Sequence, residues 1–470
     1  MVQLSQPSRL LRARLLAVVI AATALAAAWA QPAGAVASVL YVDNNNPSCS
    51  DGGSGTASVP FCTIGKGASV AVAGQTVQVA SGTYSELVTV GHSGSAGSPI
   101  VLTAAAGASV TVTGMANGFK VSGKSYITIH GFTVRNTSSY GIYVTGGSSN
   151  VTVSGDTVRD TTSYGIHVKD SSNVTVSGND VSGAGQQLSG YTKYGVKFAN
   201  STSSLVSGNV SHDNSEAGVF LDGTSSGVKV TGNHTFGNAR GYTRAAPGID
   251  VRGHDNTVDR NVSHDNEDSG LQFYSGSHDN LVVDNLSYRN GDHGIDDLNS
   301  TGQRIISNTV YKNVTAGINV EGTSPGATIE NNLAVDNGIN SPRTKGNIRV
   351  DSNSTSRTTV DFNLVYLSVS GQVMYVWGST KYSSLAAFQA ATGQEAHGVQ
   401  ADPQWVSAGS GNFHLGSGSP AVDSANSGVS GETSTDLEGN GRVDVPSTPN
   451  TGAGPRSYDD RGAFEFQLVA

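Results

Sequence analysis

The chain has 470 residues, of which 37% are hydrophobic and 13% charged, with 60 glycines, two cysteines and a formal net charge of −9. Glycine stands well above its usual share of about 7% and charge well below the usual quarter, which excludes a coiled coil; the strict period of collagen and the cysteine load of a disulfide scaffold are missing too. Valine and isoleucine recur at regular places and the net charge is small for the length, so this is not a disordered chain.

The N-terminus reads as an export signal over residues 1–35. Arg9, Arg12 and Arg14 precede an apolar run from Leu15 to Trp29, and small residues follow at Ala33, Ala35 and Ala37. No other apolar run is long enough to span a bilayer. The expectation is a secreted, monomeric protein. Cleavage removes three arginines and no acid, taking the charge from −9 to −12, which argues against a nucleic-acid partner. In an oxidising compartment Cys49 and Cys62 are expected to form one disulfide.

Residues 36–117 read as an N-terminal cap and first coils, with a short amphipathic helix from Thr63 to Ala73 covering the open apolar end. From Gly118 a unit of glycine, an aliphatic residue or Phe, a variable residue and usually a second apolar one recurs. Its glycines are 118, 141, 165, 195, 218, 248, 270, 294 and 317, with Asn347 in the tenth slot. A second register pairs asparagines five apart, as in Asn261 and Asn266 or Asn285 and Asn290. Apolar residues alternate with polar ones inside each unit, the period of a strand. Units of 22 to 30 residues with two fixed features per turn cannot bury a face alone but can when stacked. The fold class is therefore all-β, a right-handed parallel β-helix of about ten or more coils with regular repeats over 118–362. Stacked corner asparagines should form amide ladders. Residues 363–470 read as last coils, a helix over Ser383 to Thr392, and a tail of loops and a strand closing the far end.

Such a solenoid sets outward residues in columns about 4.8 Å apart. The residue two after each glycine gives Lys197, Phe220, Asp250, Gln272, Asp296, Asn319 and Arg349; two further on come Asp222, Arg252, Tyr274, Leu298 and Glu321. Insertions before the glycine, at 183–194, 239–247 and 338–346, should wall this face as a groove for a linear polymer. Removing the C5 proton of a uronate needs a base, a positive group for the carboxylate and an acid for the leaving oxygen. Asp250, Arg252, Tyr274 and His293 supply these kinds of group and are the candidate catalytic residues; Lys197, Gln272 and Asp296 are the candidate substrate-binding ones.

The run from Gly248 to Asp296, with its N-V-S-H-D-N, N-L-S-Y-R-N and D-H-G segments, resembles the catalytic module of mannuronan C5-epimerases. The resemblance puts Asp250 on that family's catalytic aspartate and His293 on its histidine. Pro247, Arg252 and Tyr274 replace its catalytic tyrosine, second histidine and further aspartate. Separately, Tyr41-Val42-Asp43, Pro60-Phe61-Cys62 and Gly82-Thr83-Tyr84 resemble the opening of secreted β-helix proteins that include family 9 pectate lyases. That resemblance implies calcium and a lysine base, for which Lys197 is the candidate. Carboxylates of Asp222, Asp296 and Asp297 could hold the calcium.

The expected function is proton abstraction on an acidic polysaccharide, ending in β-elimination or epimerisation. A hydrolase using Asp250, Asp296 and Asp297 and a non-catalytic carbohydrate-binding solenoid are the alternatives. Against catalysis, Asp250 with Arg252 also reads as a surface ion pair, and the histidines of the H-D-N strings, such as His212 and His264, as turn formers. Alternation points Asp297 inward, where a carboxylate needs a partner. Cations near the enlarged corners, Lys193, Arg240, Arg244 and Lys345 among them, would offset the overall acidity.

Overall fold

The computed structural model describes residues 39–185, 193–239 and 246–468; the export signal and parts of two insertions, with Arg240 and Arg244, lie outside them. Three sheets of 13 strands each run the length of the solenoid. The first goes from Val39–Val42 to Thr359–Asp361, the second from Val88–Thr89 to Tyr375–Trp377 with Thr380–Tyr382 added antiparallel, and the third from Gly82–Tyr84 to Val399–Gln400. All other pairings within them are parallel, one coil above the next, and inward Val, Ile, Leu and Phe form one continuous core column. The right-handed β-helix read from the repeats is the fold observed.

Both asparagine registers are amide ladders. One climbs from Asn179 through Asn209, Asn233, Asn261, Asn285, Asn308 and Asn332 to Asn363, each Nδ2 donating to the next Oδ1 at 2.9–3.1 Å; the Glu395 carboxylate ends it, accepting from Asn363. The other runs from Asn214 to Asn347. Their tight packing explains the repeat glycine. A Cβ at Gly294 would lie 2.6 Å from the Gly317 carbonyl and 2.7 Å from the Asn313 amide, closer than packed atoms allow. Buried amides bonded on every side stabilise the stack because each alternative leaves an orphan donor.

Helix α1 spans Ile64–Val70, capped by the Thr63 hydroxyl on the Lys66 N–H, and seats Ile64 and Ala68 on the first coil. The Cys49–Cys62 disulfide is formed. Helix α2, Leu385–Thr392, begins at Ser384 and ends on Gly393 at φ 71°. Its Phe388 stacks at 4.2 Å on Tyr375, so α2 closes the far end of the core. The tail, expected to close that end, instead folds back along the third sheet, and residues 461–466 form no strand. The reason is exposed apolar surface: Leu286, Tyr288, Tyr311, Leu333, Val335 and Leu364 point outward there and are covered by Phe413, Ala463, Phe464, Leu415 and Val445. Arg442 pins the tail, pairing with Asp284, Glu432 and Glu465 at 2.9–3.1 Å with every partner at most 1% exposed.

Candidate functional site

The outer face of the second sheet carries the sequence-derived column in register: His167, Lys197, Phe220, Asp250, Gln272, Asp296, Asn319 and Arg349 are successive strand partners. Two clusters form along it.

In the first, three tyrosines that stand before repeat glycines and one residue of the column supply an aromatic ladder. Tyr140, Tyr164, Tyr194 and Phe220 stack with ring separations of 5.4, 5.6 and 4.2 Å. The Lys197 ammonium lies 4.6 Å from the Tyr164 ring and 5.2 Å from those of Tyr194 and Phe220, and donates to the Tyr164 hydroxyl at 3.3 Å. Burial lowers its pKa, against the upward pull of Asp222 and Glu216. The Arg252 guanidinium covers the same Phe220 ring at 5.0 Å and the Tyr274 ring at 5.0 Å, so two cations flank one aromatic floor. Arg252 is held by a fork onto Asp250, 3.1 Å from Nε and 2.9 Å from Nη2. Asp250 is only 2% exposed, which corrects the reading as a surface ion pair: the carboxylate is buried under the arginine it orients. Beside them Tyr194 donates to Glu216 at 3.1 Å. Burial pushes the Glu216 carboxyl up to about 7, and its Oε2 has no hydrogen bond among the described residues.

The second cluster lies two coils on. His293 is buried, with Nδ1 2.8 Å from the Thr315 hydroxyl and Nε2 3.2 Å from the Asn319 amide; burial lowers its pKa against the Asp292 carboxylate. Asn319 also donates to Asp296 at 2.8 Å, and Gln272 reaches Asp296 at 3.4 Å. Burial, then Glu321, pushes Asp296 well above the usual carboxylate range. Asp268 is raised to about 8, first by burial and then by Asp292 and Asp296. Asp292 is pushed up by burial but held below its ordinary value by His293 and by Arg343, whose guanidinium approaches it at 2.7 Å. Arg349 closes the cluster, donating to Asn319 at 2.6 Å and Glu321 at 2.7 Å.

The three aspartates expected to hold calcium are not brought together. Asp222 lies three coils before Asp296 and caps a turn, accepting from the Asn200 and Thr224 N–H groups. Asp297 faces inward between Phe273 and Val320, bonded to the Ser300 hydroxyl. His293, Asp296 and Glu321 do converge, with donor atoms within 4.8 Å of one another. A ring nitrogen with two carboxylates already engaged by Asn319 and Arg349 does not fit calcium, which takes six to eight oxygens, so no chemistry is derived through that ion. The H-D-N histidines are turn formers: each of His212, His254, His264 and His278 bonds the following aspartate at 2.6–2.9 Å, whose φ is 51–55°.

Sequence reasoning gave no role to Tyr164, Tyr194, Glu216, Asp268, Asp292 and Arg343, although Asp268 and Asp292 fall in its densest polar stretch. The tyrosines carried a signal, since each stands directly before a repeat glycine. Glu216, Asp268 and Asp292 carried one as well, each an acid two residues before a repeat glycine; Arg343, inside an insertion, has no counterpart in the other coils.

The family described as right handed beta helix region matches residues 100–243 and 242–365. A stretch of 122 residues is 34% identical to the uncharacterized protein YwoF of Bacillus subtilis (strain 168), covering 23% of this chain and 25% of that one; the match spans about a quarter of that relative's length. Among solved structures, pectate lyase Pel9A superposes with a TM-score of 0.55 at 17% identity, over 92% of this chain and 97% of that one. The Azotobacter vinelandii mannuronan C-5 epimerase AlgE4 A-module gives a TM-score of 0.42 at 14% identity, over 70% and 91%. No helix of the described residues is long and apolar enough to cross a membrane.

Proposed function

The chain belongs to the right-handed β-helix family, and from its second sheet we propose a secreted enzyme that abstracts the C5 proton of a uronate in an acidic polysaccharide. The observation that carries this is the pair of cations on the Phe220 ring, a lysine with a lowered pKa and an arginine fixed from below by a buried aspartate. Arg252 neutralises the substrate carboxylate, which acidifies the C5 proton. Lys197, in its neutral form, takes that proton. In elimination the electron pair becomes the C4=C5 bond, the C4–O bond breaks, and Glu216, half protonated near pH 7, gives its proton to the leaving oxygen. In epimerisation the carbanion regains a proton on its opposite face. Asp250 is a positioning residue in this scheme, and Tyr274 a platform for Arg252. The fold is also that of a pectate lyase, which fits the reading.

The hydrolase reading is less well supported. Of its three carboxylates, Asp250 is held by Arg252 and Asp297 faces the core, which leaves Asp296 without a second acid; Asp268 and Asp292 differ in pKa but are hydrogen-bonded to each other, whereas glycosidases hold theirs about 5 Å or more apart. Incubation with polygalacturonate and with alginate tests the proposal. Ultraviolet absorbance of an unsaturated product identifies elimination, and deuterium uptake at C5 in heavy water identifies epimerisation. Neither signal on either polymer, with folded protein, overturns it.

A further inference from the structure

Beyond the second cluster, a pocket of about 420 Å³ opens at the C-terminal end of the same sheet, lined by Arg343, Thr344, Lys345, Arg349 and Lys381 together with the last strand. Its chemistry is lopsided. Four cations and no acid line it, in a chain with net charge −9. Two of the cations are anchored from behind: Arg343 forks onto Asp292 at 2.7 and 3.0 Å, and Arg349 spends only Nη1 on Asn319 and Glu321. Among the described residues, the Lys345 and Lys381 ammonium groups and the Arg349 Nε and Nη2 atoms have no hydrogen-bond or ion-pair partner. The Thr344 hydroxyl is buried and unbonded, a donor lacking an acceptor. The register ties the pocket to the proposed catalytic cluster: Arg349 continues the column of Asp250, Gln272, Asp296 and Asn319, and Lys381 pairs with Val376 in the next coil.

We infer that this pocket is a remote subsite for an anionic sugar unit of the same chain that Arg252 engages, so that the preferred substrate is a polyuronate long enough to reach both. The inference rests on the reading of the second sheet as the substrate face and adds a length and charge requirement to it. Arg252 and Arg349 lie four coils apart, roughly 19 Å at the strand spacing of a sheet. A neutral or short substrate could not use both stations. Positive groups gathered at the two ends of the column also keep a polyanion in register, because a shift of the chain takes its carboxylates off one set of cations or the other.

The test is a double variant, Lys345→Ala with Lys381→Ala, which touches neither the lysine base nor its neighbours and leaves buried groups in place. Binding of the full chain to polygalacturonate, alginate, dextran sulfate and neutral dextran is measured by affinity electrophoresis, alongside turnover of a short and a long uronate. Expected are binding to polyuronate about tenfold weaker, the size of two exposed charge pairs together, a smaller salt dependence, KM raised on the long substrate, and kcat on the short one unchanged. Equal binding by the double variant with turnover intact overturns this inference alone. Polyuronate binding that the variant weakens, without turnover of any uronate, overturns the proposed reaction and leaves the subsite standing. Tighter binding of dextran sulfate than of either polyuronate, lost in the variant, overturns the carboxylate assignment. Binding to none of the acidic polymers overturns both.

Discussion

Replacing Asp297 by asparagine should make the protein more stable, and increasingly so as pH rises. Its side chain is fully buried in the core column between Phe273 and Val320. Its single hydrogen bond comes from the Ser300 hydroxyl, and its Oδ2 has no partner among the described residues. Burial and then the neighbouring Asp296 hold its pKa well above the ordinary value. A carboxyl raised on folding adds stability that is complete below the unfolded pKa, about 3.9, and is lost as pH climbs toward the folded pKa. Each pH unit through which the folded protein must keep this group neutral costs about 1.4 kcal/mol, so the burden reaches up to about 4 kcal/mol at pH 7. The amide introduced by Asp297→Asn would carry no such burden and still accept from Ser300; Asp297→Val leaves that hydroxyl unpaired and gives back about 1–3 kcal/mol. Denaturant unfolding of parent and Asp297→Asn across pH 4 to 8 should show two curves that separate with pH, the variant above. Parallel curves, or a variant less stable at pH 7, would mean that the carboxylate is ionised and paired, and would refute the argument.

Lys197→Ala should lower kcat on a uronate polymer by about 10² to 10⁴, and Lys197→Arg should not restore it, because a guanidinium does not give up its proton at working pH. In the parent, kcat/KM should rise with pH as Lys197 loses its proton and lose that rise above about 7 as Glu216 ionises; Glu216→Gln should remove the break near 7, which a pH profile would show. Asn285→Leu deletes five side-chain hydrogen bonds, three given to Val258, Val283 and Asn308 and two received from Asn261; a loss of about 3–5 kcal/mol in chemical denaturation is expected. Arg442→Leu strands three buried carboxylates and should cost about 3–5 kcal/mol at pH 7, less as acid protonates them. Limited proteolysis should then release the tail while the second sheet stays folded.

The solenoid was legible because its determinants are periodic. The glycine is demanded by close approach to the next coil, the asparagine by its ladder and the aliphatic pair by the core, and each recurs at one position per turn. The tail's course was not legible, because what fixes it is an outward apolar patch on the third sheet and one buried arginine. Contacts such as that of Arg442 with Asp284, 158 residues apart, leave no local pattern. Tyr288 and Tyr311 look from sequence like ordinary strand residues; only the fold shows them facing Phe413.

The site divides along the same line. Lys197, Asp250, Gln272 and Asp296 were placed by counting from the glycine, and the strands keep them in that order. Counting could not say how each is used, because role depends on what stands one coil above or below. Asp250 and Asp296 occupy the same repeat position two coils apart, yet one is neutralised by a guanidinium in its own coil and the other meets an amide and a second carboxylate. Asp297, one residue on, faces the core because strands alternate. Thus the repeat fixes addresses, and the insertions and substitutions that break it fix chemistry: the aromatic ladder stops at Phe220 where Asp250 begins, and the acids give way to cations at Arg349. On the proposed function, a substrate whose charges recur along its length is the ligand that such a banded face would discriminate.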